Sequence, residues 1–149
     1  MKRKIVIISI FIFATGVLSS CKIFNKGQRT DESSVAKSEL KGNWELNYIS
    51  GTRIAFQGLY PESKPSMTFD LVKNEVNGNT SCNGFISKIT VDGNKISISE
   101  PGPMTMRYCE GGGEKPFLEM LKKITSYNVN GDTLTLIQGD IAVMRFNKK

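Results

Sequence analysis

The stretch FISKITVDGNKISI, residues 85–98, decides the fold class. Phe85, Ser87, Ile89 and Val91 fall on one side of a period-2 pattern, and Ile96 and Ile98 continue it after Asp92-Gly93. Alternation of this kind predicts half-buried strands. An Asp-Gly pair accepts the positive φ of a tight hairpin, so the stretch reads as two antiparallel strands. The same rhythm recurs on both sides. Trp44, Leu46 and Tyr48 alternate upstream, as do Met67, Phe69 and Leu71; Leu134 and Leu136, then Ala142, Met144 and Phe146, alternate downstream. Asn130-Gly131 is a second hairpin pair, and Asn77-Gly78 and Gly139-Asp140 read as turns on the same grounds. About seven strands at this spacing predict a mainly β, antiparallel sandwich or barrel.

One segment breaks the rhythm. Between Glu114 and Ile124, the residues Phe117, Leu118, Leu121 and Ile124 recur at helical spacing. Pro116 sits in the first turn, where its missing N–H costs little. Glu114 near the start and Lys122 and Lys123 near the end suit the helix dipole. A single helix near residues 114–124, packed on the sheet or plugging its end, is therefore expected, with Gly111, Gly112 and Gly113 as a loose loop before it. The three glycines lack the frame of a phosphate loop.

The N-terminus carries an address. Lys2, Arg3 and Lys4 precede an apolar run from Ile5 to Val17, and Leu18-Ser19-Ser20-Cys21 follows. The run is too short to cross a bilayer and reads as a secretory signal over residues 1–20. Leu18-Ser19-Ser20-Cys21 resembles the bacterial lipobox. That resemblance implies cleavage between Ser20 and Cys21 and a diacylglycerol, with acyl chains such as palmitate, on the Cys21 thiol. Stable anchoring needs more than one acyl chain. Residues 21–39 are polar and predict a flexible tether with an r.m.s. span of about 23 Å, leaving one domain at 40–149. Lys22, in place of the aspartate that retains enteric lipoproteins at the inner membrane, points to the outer membrane.

Composition narrows the chemistry. The 149-residue chain has no His, so imidazole metal sites and Ser-His or Cys-His nucleophiles are excluded. No metal or other cofactor is expected. Its 20 Lys plus Arg outnumber 14 Asp plus Glu, but the leader holds three of those cations and no acid. The remaining excess is small and spread along the chain, so nucleic acid is not an expected partner. With Cys21 lipidated, Cys82 and Cys109 remain, 27 positions apart. In an oxidising compartment they are expected to form a disulfide, worth about 3.5 kcal/mol by loop entropy; a free or redox-active thiol beside Arg107 is the alternative.

Three motifs, in order, carry a family resemblance: Leu40-Lys41-Gly42-Asn43-Trp44-Glu45-Leu46, Gly78-Asn79-Thr80-Ser81-Cys82-Asn83, and Thr105-Met106-Arg107-Tyr108-Cys109. They resemble the LxGxWxL, GxxGCN and T-x-M-x-C segments of the META domain, or HslJ-like, family of bacterial envelope lipoproteins and heat-inducible proteins. The resemblance implies a small cracked β-barrel with one helix and a part in envelope stress tolerance. Ser81 stands where that family usually has Gly, which suggests a less extreme backbone at the turn; Arg107 stands where it usually has Met.

Three functions compete. The first is a non-catalytic lipoprotein, a monomer on the membrane through Cys21, binding an apolar ligand or an envelope protein. The second is an interaction or inhibitor module using the 100–113 loop, with Met104, Arg107 and Tyr108 as contacts; Met104 and Met106 would instead be core if they alternate inward. The third is an envelope hydrolase, for which Glu110 with Glu114, or Asp132 with Asp140, would have to face one substrate.

Overall fold

The computed structural model describes residues 37–149. The leader, Ser20, Cys21 and the tether up to residue 36 lie outside the described residues. Residues 37–39 are already helical, so secondary structure is present just ahead of the domain start expected at Leu40.

Eight strands follow: β1 (Asn43–Ile49), β2 (Ser66–Asp70), β3 (Glu75–Asn79), β4 (Gly84–Asp92), β5 (Lys95–Ile98), β6 (Ser126–Asn130), β7 (Thr133–Gln138) and β8 (Ile141–Lys148). Each pairs antiparallel with the next, and β8 returns to β1, so the sheet closes as a barrel rather than splitting into a sandwich. Two helices interrupt the meander, α1 (Phe56–Leu59) and α2 (Glu114–Leu121). The expected helix is thus α2, ending at Leu121 instead of Ile124, and α1 is an additional short turn.

The alternating residues point inward and fill the barrel. Trp44, Val76, Leu134, Leu136, Met144 and Phe146 are wholly buried in a single cluster. An eight-stranded barrel has an interior that side chains can fill or that can hold one small ligand; here a single cluster of buried side chains occupies it. The Trp44 indole N–H donates to Leu40 O at 2.8 Å, tying the chain before β1 to the core. Two irregularities break the simple alternation. A register shift between Leu46 and Tyr48 turns Tyr48 outward, 39% exposed and 4.9 Å from Arg145, and brings Ile49 in. A second, near Leu136 and Ile137, accompanies the burial of both Val143 and Met144, leaving Ala142 exposed. An extra residue in one strand of a ladder flips every side chain beyond it.

Gly139-Asp140 is a turn, whereas Asp92 and Asn130 end their strands and the hairpin turns are Gly93-Asn94 and Gly131-Asp132, one residue later than expected; Asn77-Gly78 lies inside β3. The reason is contact. A Cβ on Gly78 would come within 2.5 Å of the Phe85 ring and 2.7 Å of Ser66 O. Glycine is there to let the neighbouring strand's aromatic ring cover the backbone.

The up-and-down order puts the incoming chain, the three short turns after β2, β4 and β6, and the C-terminus at one end, here called proximal. The distal end carries α1, the Thr80–Asn83 turn, the connection 99–125 with α2, and the β7–β8 turn. The β5–β6 seam is the weakest join. It has one register pair, Lys95 with Ser126, and two flanking backbone bonds. Phe117 and Leu121 of α2 close the core beside it, with the Phe117 ring 6.0 Å from that of Phe85.

Ser87 is the exception in the interior. It is 2% exposed, and its Oγ is without a hydrogen-bond partner. A buried unpaired hydroxyl costs about 1–3 kcal/mol. Ser87→Ala should therefore unfold at higher denaturant, by roughly 1 kcal/mol; a loss of similar size in urea titration would mean that the hydroxyl is bonded after all.

Candidate functional site: the clasped distal loop

The residues singled out for contact or cross-linking gather at the distal end. Cys82 and Cys109 are joined by a disulfide, with Cα atoms 5.8 Å apart. Asn83, next in sequence, is 2% exposed and uses every hydrogen-bonding position of its side chain. Its Oδ1 accepts from Thr105 Oγ1 and from the Arg107 N–H, both at 2.8 Å. Its Nδ2 donates to Arg107 O at 3.0 Å and to Glu114 Oε2 at 2.9 Å. Thr105 Oγ1 in turn accepts from the Gly84 N–H at 3.1 Å. The wholly buried Thr80 hydroxyl donates to the same Glu114 oxygen and accepts from the Asn83 N–H at 3.0 Å. The GxxGCN-like and T-x-M-x-C-like segments are thus two halves of one clasp, with the first turn of α2 as its third member.

The turn that supplies Asn83 is strained where a relaxed backbone was expected. Ser81 has φ +85°, a conformation that favours glycine. The three-glycine run is likewise not loose. A Cβ on Gly113 would collide with the Tyr60 ring, and one on Gly111 would collide with Leu59 O. The Tyr60 hydroxyl donates to Gly113 O at 3.0 Å, and burial pushes its pKa well above the usual phenol value. Leu59 at the end of α1 and Tyr60 therefore hold the run from the other side.

This clasp fixes the backbone while leaving side chains outside. Met106 is 97% and Tyr108 94% exposed, and Arg107 is exposed between them. Met104 is half-buried against the core and pairs with Phe85. The two methionines thus do different jobs, one as core and one as surface. Beside them runs a groove of about 540 Å³, bounded by Met104, Met106, Arg107 and Tyr108 on one side and Leu118 on the other. A smaller hollow of about 200 Å³ lies over the disulfide.

Of the carboxylate pairs, Glu110 and Glu114 both border the hollow over the disulfide. Glu114 is engaged by Thr80 and Asn83. Asp132 and Asp140 sit in turns at opposite ends of β7, about 20 Å apart by strand rise. Among the described residues, no group of three or more Cys, Asp or Glu is placed to hold a metal ion. Asn83, Thr80 and Thr105 were not singled out as site residues from sequence. Their only signal was membership of the two motifs.

The family model described as META domain matches residues 37–149, beginning where the described fold begins. The chain belongs to the META domain family. Among solved structures, the META chain is similar to a protein from Burkholderia xenovorans determined by NMR, with a TM-score of 0.59 and 20% identity, covering 77% of this chain and 87% of that one. It is also similar to a duf4847 family protein from Bacteroides vulgatus, with a TM-score of 0.54 and 14% identity, covering 76% and 96%. At these identities the likeness is one of fold. No curated protein matches the chain.

Two substitutions test the clasp. Asn83→Ala leaves the Arg107 N–H and C=O without partners and takes one of two bonds from each of Thr105 and Glu114, and should cost at least about 3 kcal/mol in denaturant unfolding. A loss below about 1 kcal/mol would show that the loop does not depend on this side chain. Ser81→Gly should instead raise stability, by about 0.5–1 kcal/mol, by relieving the positive φ; a clear decrease would mean that the turn relaxes in solution.

Proposed function

We propose that this META protein is a non-catalytic lipoprotein of the bacterial envelope that binds a partner protein through its clasped distal loop. One observation carries the reading. Met106 and Tyr108 stand almost fully exposed on a backbone that a disulfide and Asn83 hold in place. Large apolar side chains displayed on a fixed loop are the usual makings of an interaction surface. The filled barrel favours a contact on the outside over an apolar ligand in the interior.

The anchor belongs to the same proposal. Diacylglycerol on Cys21, after cleavage behind Ser20, would tie the domain to the membrane through residues 22–36, with Lys22 favouring the outer membrane. The chain joins the barrel at its proximal end, so the loop would face away from the lipid. Support for stress tolerance as the physiological setting comes from family membership alone.

Cross-linking in intact cells, followed by mass spectrometry, tests the contact. Tyr108→Ala and Arg107→Ala should each remove the same partner bands without lowering the protein's abundance. An unchanged profile in both would refute the loop as the contact surface. Labelling with palmitate should mark the wild type and not Cys21→Ser; an unlabelled wild type would remove the anchor from the account.

A further inference from the structure

The groove beside the loop has a backbone edge as one of its walls. β6 follows β5 for a single register pair at Lys95, then diverges. The chain beyond β5 nevertheless continues along β4. Ser99, Gly102 and Thr105 donate their N–H groups to Lys88 O at 2.9 Å, Ile86 O at 2.8 Å and Gly84 O at 3.3 Å, and Met104 bridges to Phe85. Residues 99–105 are thus an irregular prolongation of β5, with one side paired to β4. No described strand pairs with the other side. Because successive backbone groups in an extended chain point to opposite sides, Met104, next to Thr105, turns its N–H and C=O outward. The outer edge opens on the groove of about 540 Å³, whose far wall is Leu118 of α2.

We propose that this edge takes an extended, uncharged apolar segment of a partner protein as an added strand, seated between residues 102–106 and α2. This rests on the reading of the distal loop as the contact surface and specifies how the partner is held. Backbone hydrogen bonding to an open edge supplies affinity, and alternate side chains supply selectivity. Met104 and Leu118 offer the apolar floor. The charged residues of the lining are Arg107 and Glu114, which sum to zero, so the groove matches a segment without net charge. An unpaired edge is a standing liability for a barrel protein unless something pairs with it. The clasp accounts for its geometry, since Asn83 and the disulfide hold residues 105–109 against the β3–β4 turn.

The test uses the full mature chain in detergent and a displayed library of short random peptides. Selected peptides should be apolar and uncharged, and on binding should shift the amide resonances of residues 99–108 and 114–121. They are then resynthesised with backbone N-methyl groups on alternate residues, in both phases. One phase should weaken binding by at least about tenfold, and the other by less than about threefold, because only one set of amides faces the edge. Equal sensitivity in the two phases would overturn strand addition while leaving the groove as a contact surface. Shifts elsewhere on the barrel, or no enrichment of any peptide, would overturn both.

Discussion

The distal end of this barrel depends on one side chain with its bonding capacity filled. Asn83 offers two acceptor positions and two donors, and each meets a different demand: the hydroxyl of Thr105, the N–H and the C=O of Arg107, and the carboxylate of Glu114. No other residue type of that size does this. Aspartate lacks the donors, and a hydroxyl lacks the reach. Burial sharpens the requirement, because an amide removed from water must find all its partners within the protein. The disulfide one residue earlier adds a covalent limit on the same loop, so chain entropy and hydrogen bonding constrain the same few residues. The barrel supplies the position. Asn83 precedes β4, whose first residues pair with β3 on one side and with the loop on the other.

The remainder of the architecture follows from how the sheet closes. Seven of the eight joins are antiparallel ladders of three or more register pairs, two of them with a register shift, and the eighth, β5 to β6, is one register pair wide. The connection of residues 99–125 is placed at that seam, and α2 repairs the core there with Phe117 and Leu121. Closure elsewhere leaves few backbone groups for a partner. The seam is where an opening persists, and the loop that borders it carries the exposed Met106 and Tyr108. The weakest join of the sheet and its most apolar exposed loop thus meet at the same end.

Much of the fold could be read from the residues because a half-buried strand writes its burial into every second position. Phe85, Ser87 and Ile89 do so without interruption, as do Leu134 and Leu136. The reading failed where the ladder carries an extra residue. Tyr48 and Ala142 fit the alternation but face outward, since register shifts are properties of strand pairs and not of one strand. Asn77-Gly78 failed for a different reason. Its glycine answers to the Phe85 ring on a neighbouring strand, a contact that local turn chemistry does not reveal. The site was less readable still. Exposure of Arg107 and Tyr108 was suggested by residue type, whereas the partition of Met104 and Met106 needed the clasp. Ser81 was read as relaxed because serine usually is; the surrounding bonds impose its positive φ.

The central claim is that the loop bearing Met106 and Tyr108 is a fixed part of the barrel rather than a mobile appendage. Hydrogen exchange at the Arg107 amide tests it most directly, because that N–H is bonded to Asn83 and its residue is otherwise exposed. The account predicts exchange slowed by at least about a hundredfold relative to a free peptide, in the range of structured strands. Exchange of this amide at the free-peptide rate, with the β4 amides still protected, would contradict it.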